Sequence, residues 1–377
     1  MPKIGLANDW ITTYGGSEKV LEAFSRIYPD APLHTSLYNA KAIEHTGLAN
    51  LDIRTSFLQK IPFAIRKYKA FLPFMPFAIE QLDFDDYDII LSSSHAIAKG
   101  IITNANQLHI CYMHTPIRYA WDLQQTYLKE AKLGYSPRGL AARLILHYIR
   151  NWDQLSANRP DHYIANSNYV ARRIYKVYRR EADVVYPPVD VDRFVPSKDR
   201  GDFYLVVTRL VPYKKVELIA KACIKAKRKL VIIGNGPEMK KLKMINHPDI
   251  QLLGHQSDEV VNEHMQTCKA FIFAADEDFG IVPVEAQAAG APVIAYGRGG
   301  CLETVVEGKT GCFFSEQNES TICDAIERFE RIEHTFDMHE IVAHAQQFSA
   351  KRFKEEIERF VEKYWHQFKG TKVCSRT

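Results

Sequence analysis

Short apolar runs alternate with amphipathic stretches along this chain, and the alternation restarts after one proline-rich break. Lys3–Ala7, Tyr87–Leu91, His109–Met113 and His162–Ala165 read as strands; Ser17–Tyr28 and Asn168–Tyr178 read as helices. Strands that are apolar on both faces and separated by helices demand a parallel sheet covered on both sides. Val184–Pro196 (VVYPPVDVDRFVP) carries three prolines and no helical period, so the helix–strand pattern stops there. Beyond it, Tyr204–Thr208, Leu230–Gly234, Ile250–Leu253, Ala270–Ala274 and Pro292–Tyr296 read as a second series of buried strands with helices between them. The class is therefore α/β, with two doubly wound parallel-sheet domains. We divide the chain into a first domain over 1–184, a linker over 185–200 and a second domain over 201–348, followed by a charged amphipathic helix over 349–367.

The length supports this division, since 377 residues exceed the roughly 250–300 at which a single core stops growing. A hydrophobic fraction of 46% and a charged fraction of 25% are ordinary for a globular chain and exclude disorder. A net charge of +4 suits anionic small molecules or an anionic surface and is too weak to imply nucleic acid. The seven scattered cysteines form no CxxC pair, which fits a reduced, cytoplasmic chain. The opening MPKIGLANDW has no basic segment followed by a long apolar run, so a cleaved leader is not expected, nor is any membrane span.

In open α/β sheets ligands bind beyond the carboxyl ends of the strands, so the loops that follow strands are where chemistry is sought. After the strand AFIFA comes Glu277-Asp278-Phe279-Gly280-Ile281-Val282-Pro283-Val284-Glu285, which opens a helix. A glycine at a helix start exposes backbone N–H groups suited to phosphate. One carboxylate lies in the loop and the other about one turn into the helix, within reach of a ribose. Arg209 to Lys215 (RLVPYKK) follows the strand YLVVT; Arg209 and Lys214 there are cations at a helix start, where the dipole disfavours them unless an anion is bound. Gly15-Gly16 sits between the first strand and first helix, where glycines allow close approach of backbone to a ligand. His114 ends the strand HICYM.

The spacing of Glu277 and Glu285, with seven residues between them, resembles the paired-glutamate signature of glycosyltransferase family 4, retaining enzymes of the GT-B fold. Gly234-Asn235-Gly236-Pro237-Glu238, Gly290 to Ala295, and Gly299-Gly300 with Glu303 and Gly308 to Gly311 are similar to further motifs of that family, in the same order. The resemblance implies two Rossmann-like domains facing across a cleft, with the final helix packing back on the first. It implies that Arg209 and Lys214 clamp the donor diphosphate. The family often has Lys-Gly at this point and this chain has Lys214-Lys215, so Lys215 is a second candidate contact. Phe279, Gly280, Ile281 and Val282 would hold phosphate through their amides, Glu285 the ribose and Glu277 the sugar hydroxyls. Gly15, Gly16 and His114 would meet the sugar from the first domain. Asp9, Trp10 and Tyr14 are expected on the acceptor side, while Arg118, Tyr119 and Trp121 suit either an acceptor or packing.

The runs DWITTYGGSEKVLEAF, SSSHAIAKG and CYMHTPIRYAWD look most like bacterial O-antigen and exopolysaccharide mannosyltransferases. The reading is thus transfer of a hexose, with mannose from GDP-mannose as the leading donor, to a lipid-linked or saccharide acceptor in surface polysaccharide synthesis. The alternatives are a UDP-sugar donor or a sugar-nucleotide epimerase of the same fold. No cofactor and no essential metal are expected: the cations supply charge compensation, and Asp83-Phe84-Asp85 and Asp190-Val191-Asp192 read as a polar turn and a linker segment. Ile61–Phe77 mixes Arg66, Lys67 and Lys69 with Phe63, Phe71, Phe74 and Phe77, and Arg138–Arg150 adds a basic aliphatic helix. These segments suit peripheral contact with an anionic leaflet at the inner face of the cytoplasmic membrane, although core packing is expected to take most of the phenylalanines.

Overall fold

The computed structural model describes residues 2–374, apart from the side chains of residues 130 and 371–374. The chain forms two compact units, Met1–Tyr186 with Lys354–Thr377, and Pro187–Phe353. The first holds β1 (Ile4–Asn8), β2 (Leu33–Thr35), β3 (Ile53–Thr55), β4 (Ile89–Ser94), β5 (Leu108–Met113), β6 (His162–Ala165) and β7 (Asp183–Val184). They form one sheet in the order β3-β2-β1-β4-β5-β6-β7, and every pairing is parallel. The second holds β8 (Tyr204–Val207), β9 (Leu230–Ile233), β10 (Ile250–Gly254), β11 (Ala270–Phe273), β12 (Val293–Tyr296) and β13 (Gly311–Phe314), ordered β10-β9-β8-β11-β12-β13 and again parallel.

In each sheet the winding direction reverses once, between β1 and β4 and between β8 and β11. Adjacent loops run to opposite faces there, which opens a crevice at the carboxyl ends of those strands. Central strands are buried along their length, β4 and β5 entirely so, which is why most of them read as short apolar runs; in β4 the buried residues include Ser92, Ser93 and Ser94. The strands that periodicity does not reveal are the short ones: β2, β3 and β7 have two or three residues each and lie toward the edges of their sheet.

The proline-rich stretch read as a linker is largely packed onto the second unit. Val189, Val191 and Phe194 are buried, and the Val189 N–H donates to the Phe348 carbonyl at 2.9 Å. Val189, Val191 and Phe194 recur at a spacing that hides them, while the intervening Asp190 and Asp192, and Val195 beyond, stay at the surface. The last helix runs Ala350–Cys374, longer than expected; within the first unit its Tyr364 ring lies 3.7 Å from that of His162 and its hydroxyl donates to Asp183 at 3.1 Å.

Phe63, Phe74 and Phe77 are 71%, 57% and 54% exposed, against the expectation that the core takes most of this cluster. The cause is local: the segment folds as short helical turns with prolines at 73 and 76, which cannot present one continuous apolar face. The Pro137–Ser156 helix likewise exposes Leu140, Leu144 and Tyr148. Among the described residues no helix is long and apolar enough to cross a membrane.

His109, on β5, is fully buried with Nε2 at 2.8 Å from Ser92 Oγ, and burial followed by the Arg159 charge pushes its pKa down to about 3. The folded state keeps this ring neutral while the unfolded chain protonates it below about 6.5. Stability should therefore be full above pH 6.5 and fall as pH drops from 6.5 towards 3, by roughly 1 kcal/mol per pH unit. Urea unfolding at pH 7.5, 6 and 5 checks this, with His109→Asn flattening the trend.

Candidate active site

The second unit assembles its site around the β8/β11 crevice. The loop after β8 carries Arg209 to Lys215 and the loop after β11 carries Asp276 to Gly280. Lys214 crosses between them to form an ion pair with Glu277, and its ammonium also lies 5.2 Å from the centroid of Phe273 and 5.5 Å from that of Tyr213. Two residues 63 positions apart in sequence are thereby neighbours. Arg209 lies exposed in the same loop and has no ion-pair partner among the described residues. Lys215 is separated from this group: it takes a left-handed backbone (φ 56°) just before the Val216–Ala226 helix and is exposed beside Glu217, Glu238 and Glu319. Of the two lysines, Lys214 is the one that faces the glutamate loop.

The Ile281–Ala288 helix begins at Gly280, whose φ of 91° suits glycine, and no side chain caps its first turn. The loop before it is held from behind by Gly299 and Gly300. The Gly300 N–H donates to the Glu277 carbonyl at 2.8 Å, and a Cβ at Gly300 would stand 2.3 Å from Phe279 Cα. Only a residue without a side chain lets the two loops approach so closely.

The structure sharpens two expectations here. Phe279 is buried, its ring edge-on to Phe348 at 5.5 Å, so its side chain belongs to the core and only its backbone is available to a ligand. Glu285 is also buried and shares its charge with Arg193 at 3.3 Å, a residue of the packed linker that the sequence reading did not single out. A carboxylate so enclosed requires a cation or hydrogen-bond donors beside it. Ile281 and Val282 are half-buried at the first turn. Of the DxD pairs, Asp83 accepts the Asp85 N–H at 2.9 Å, a polar turn, and Asp192 accepts from Gln346 at 3.5 Å.

In the first unit the β1/β4 crevice gathers a different set. Asp9, expected on the acceptor side, is wholly buried. Its carboxylate accepts from the N–H groups of His95, Ala96, Ile97 and Ala98 and from Ser94 Oγ. It thus fixes the chain that leaves β4 and has no surface for a ligand. Burial alone would raise its pKa; His95 and the encircling amides override that and hold it well below the usual carboxylate range. His95 Nδ1 stands 2.8 Å from Asp9 Oδ2, with the ring edge-on to Trp10 at 4.8 Å.

His114 leaves β5 next to this group. Its Nε2 lies 2.8 Å from Ser93 Oγ, and its carbonyl accepts from Asn166 Nδ2 at 3.1 Å. Burial, then the nearby His95, lower its pKa to about 3 against the opposing pull of Asp9, so the ring is neutral at physiological pH. Gly15 and Gly16 begin the Gly16–Ile27 helix without a side-chain cap. Tyr14 donates its hydroxyl to Glu22 of that helix, which takes it away from a ligand. Trp121 is likewise committed, its indole N–H donating at 2.7 Å to the buried Asp153. Asp153 also binds Lys99 and the Tyr178 hydroxyl, so three elements meet at one carboxylate. Tyr119 packs with Trp121 against the core under this loop, whereas Arg118 stays half-buried at its edge.

Residues 14–193 match the model described as Glycosyltransferase Family 4, and residues 190–363 match that of Glycosyl transferases group 1. The D-inositol 3-phosphate glycosyltransferase of Mycobacterium leprae is 29% identical over 232 residues, covering 52% of this chain and 53% of that protein. The GDP-mannose-dependent alpha-(1-6)-phosphatidylinositol monomannoside mannosyltransferase of Mycobacterium tuberculosis is 31% identical over 193 residues, 42% of this chain and 50% of that protein. The chain spans about half the length of the curated relatives it matches. Among solved structures, Anabaena HepE in complex with UDP aligns with a TM-score of 0.70 at 18% identity, over 96% of this chain and 100% of that one. Sucrose-phosphate synthase from Thermosynechococcus elongatus aligns with a TM-score of 0.71 at 15% identity, over 97% and 100%. At such identities the structural likeness is one of fold, the two-sheet GT-B architecture.

Gly300→Ala should cost about 1–3 kcal/mol, because the new methyl meets backbone of residues 278–279 that cannot yield. Gly308→Ala, at φ 73° with open space around it, should cost only the strain of the left-handed backbone, about 1 kcal/mol. Urea midpoints of the two variants check the difference.

Proposed function

As the chain belongs to the glycosyltransferases, whose family models together match residues 14–363, we propose that it is a retaining hexosyltransferase that uses a nucleotide-sugar donor. The observation that carries this reading is the Lys214–Glu277 pair set beside the uncapped helix start at Gly280. A nucleoside diphosphate leaving group gains negative charge as its bond to the anomeric carbon breaks. Lys214, held by Glu277, and the amides following Gly280 are fixed positive groups suited to that charge, and preorganised charge is worth more than charge that must rearrange; Arg209 adds a cation from the same loop. Glu277 accepts from the sugar's hydroxyls, and its pairing to Lys214 holds both groups in register. Glu285, backed by Arg193, is assigned to the ribose. His114, neutral at working pH, offers a ring nitrogen and a backbone carbonyl to the transferred sugar. No side chain is assigned as a nucleophile; the acceptor oxygen attacks on the face the phosphate leaves, and the phosphate takes the hydroxyl proton.

GDP-mannose is the proposed donor, on the likeness to a mannosyltransferase named for it. A UDP-sugar is the second reading, favoured by a structural relative solved with UDP. The proposed acceptor is lipid-linked or a saccharide, in bacterial surface polysaccharide synthesis. The exposed Phe63, Phe74, Phe77, Leu140 and Leu144, interleaved with Arg66, Lys67, Lys69 and Arg138, support peripheral contact with an anionic membrane. We further propose that transfer needs no metal, since the cations carry the compensation.

Thermal shift against GDP-mannose, GDP, UDP-glucose and UDP should show stabilisation by the guanosine pair; stabilisation by the uridine pair alone overturns the donor assignment. Glu277→Ala should reduce turnover at least 10³-fold, or about 4 kcal/mol, and near-wild-type rates would remove Glu277 from its role. Activity should persist in EDTA; loss restored by Mg²⁺ or Mn²⁺ refutes metal independence. Binding to phosphatidylglycerol vesicles at low salt, weakened by Phe74→Glu, tests the membrane contact, and no binding at low salt rejects it.

A further inference from the structure

His95 is the one ring at the β1/β4 crevice to which the sequence reading gave no role. It follows β4 directly, so it stands where the winding of the first sheet reverses, flanked by the loop after β1 and by His114 after β5. Asp9 sits behind it, fully buried, with Oδ2 at 2.8 Å from Nδ1. That carboxylate is itself immobilised by the amides of residues 95–98; Nδ1 is buried against it without an aligned hydrogen bond, so the contact is one of charge. Trp10 restrains the ring from its edge at 4.8 Å. The side chain remains 27% exposed, and Nδ1 rather than Nε2 is its buried nitrogen. A carboxylate can only accept, so its charge beside Nδ1 favours the proton on that nitrogen and leaves the outer nitrogen as the acceptor.

The charges around His95 indicate what it receives. Asp9 faces it from the end of β1, Glu18 from the Gly16–Ile27 helix and His114, neutral, from the end of β5. Two carboxylates around one imidazole leave no net positive charge to hold a phosphate or carboxylate ligand. They favour instead a neutral group that donates a hydrogen.

We propose that His95, oriented by Asp9, is an acceptor-binding residue whose Nε2 receives the hydrogen of the sugar hydroxyl that attacks the anomeric carbon. This rests on the glycosyltransferase reading above. The hydrogen bond aims the hydroxyl oxygen and increases its electron density; the proton itself still leaves to the departing phosphate. His95 and His114 thereby divide the work of the first unit, one for the incoming hydroxyl and one for the transferred sugar. Environments that push two neighbouring histidines in opposite directions are a recurrent sign of such division. Burial disfavours the charged form of His95, but Asp9 and Glu18 outweigh it and raise its pKa above the ordinary value of 6.5. Acceptor use should therefore decline as pH falls through a value above 6.5, where Nε2 becomes protonated and can no longer accept.

The test is steady-state kinetics with octyl α-mannopyranoside as acceptor and GDP-mannose or UDP-glucose as donor, from pH 5.5 to 9. His95→Asn keeps an N–H towards Asp9 and has nothing at the position of Nε2; His95→Gln places a non-titrating amide there. The expected result is a roughly 10-fold loss of kcat/KM for the acceptor in His95→Asn, the size of one lost hydrogen bond. Donor KM should stay within twofold, and the acidic limb should be absent from the partly active His95→Gln. Acceptor kcat/KM within twofold of wild type in His95→Asn, an equal rise in donor KM, or persistence of the acidic limb in His95→Gln overturns the proposal. Absence of transfer by the wild-type chain from either donor instead overturns the proposed hexosyl transfer on which it rests.

Discussion

The carboxylate of Asp9 is the constraint on which the first unit's site depends. A buried charge is stable only where hydrogen bonds replace its water, and Asp9 gathers four successive amides and a serine hydroxyl. Those amides belong to the loop leaving β4, so one side chain at the end of β1 dictates the path of a loop nearly ninety residues later in the sequence. His95 is placed by that loop, and Trp10 is placed by its adjacency to Asp9. The rigidity of the crevice is thus electrostatic before it is steric.

The second unit reaches the same end by different means. There the glutamate loop is fixed by close backbone approach, through glycines 299 and 300, and by the Lys214–Glu277 ion pair. Parallel sheets make this possible: every loop at the carboxyl edge is adjacent to its neighbour's loop, and only the reversal between β8 and β11 leaves room between them. Charge at the two crevices, each taken within its own unit, differs, with cations after β8 and a histidine beside carboxylates after β4. On the function proposed, these suit a diphosphate and a hydroxyl, respectively.

How much was legible in advance followed from burial. Central strands are apolar on both faces, and they stood out within a residue or two at most ends. β4 was the instructive exception. Its last three residues, Ser92, Ser93 and Ser94, are polar yet fully buried, so the strand seemed to end at Leu91 and His95 seemed to lie within a loop rather than at a strand terminus. Aromatic residues misled in the other direction. Tyr14 and Trp121 sit in loops beside glycines and cations, as ligand-contacting aromatics do, but their polar atoms are bound to Glu22 and Asp153. Nothing in local sequence identifies a partner 32 residues away on the Pro137–Ser156 helix.

The sequence by itself determined the two parallel sheets, the loops that follow their strands and the residue types that populate those loops, because periodicity and glycine placement act over a few residues and need no partner. The tertiary structure decided which of those residues remain available to a ligand. It buried Asp9 and the Phe279 ring, separated Lys215 from Lys214 and brought Arg193 to Glu285 and His95 to Asp9. The reason is that a polar side chain's role depends on what replaces its water, and those partners are distant in sequence.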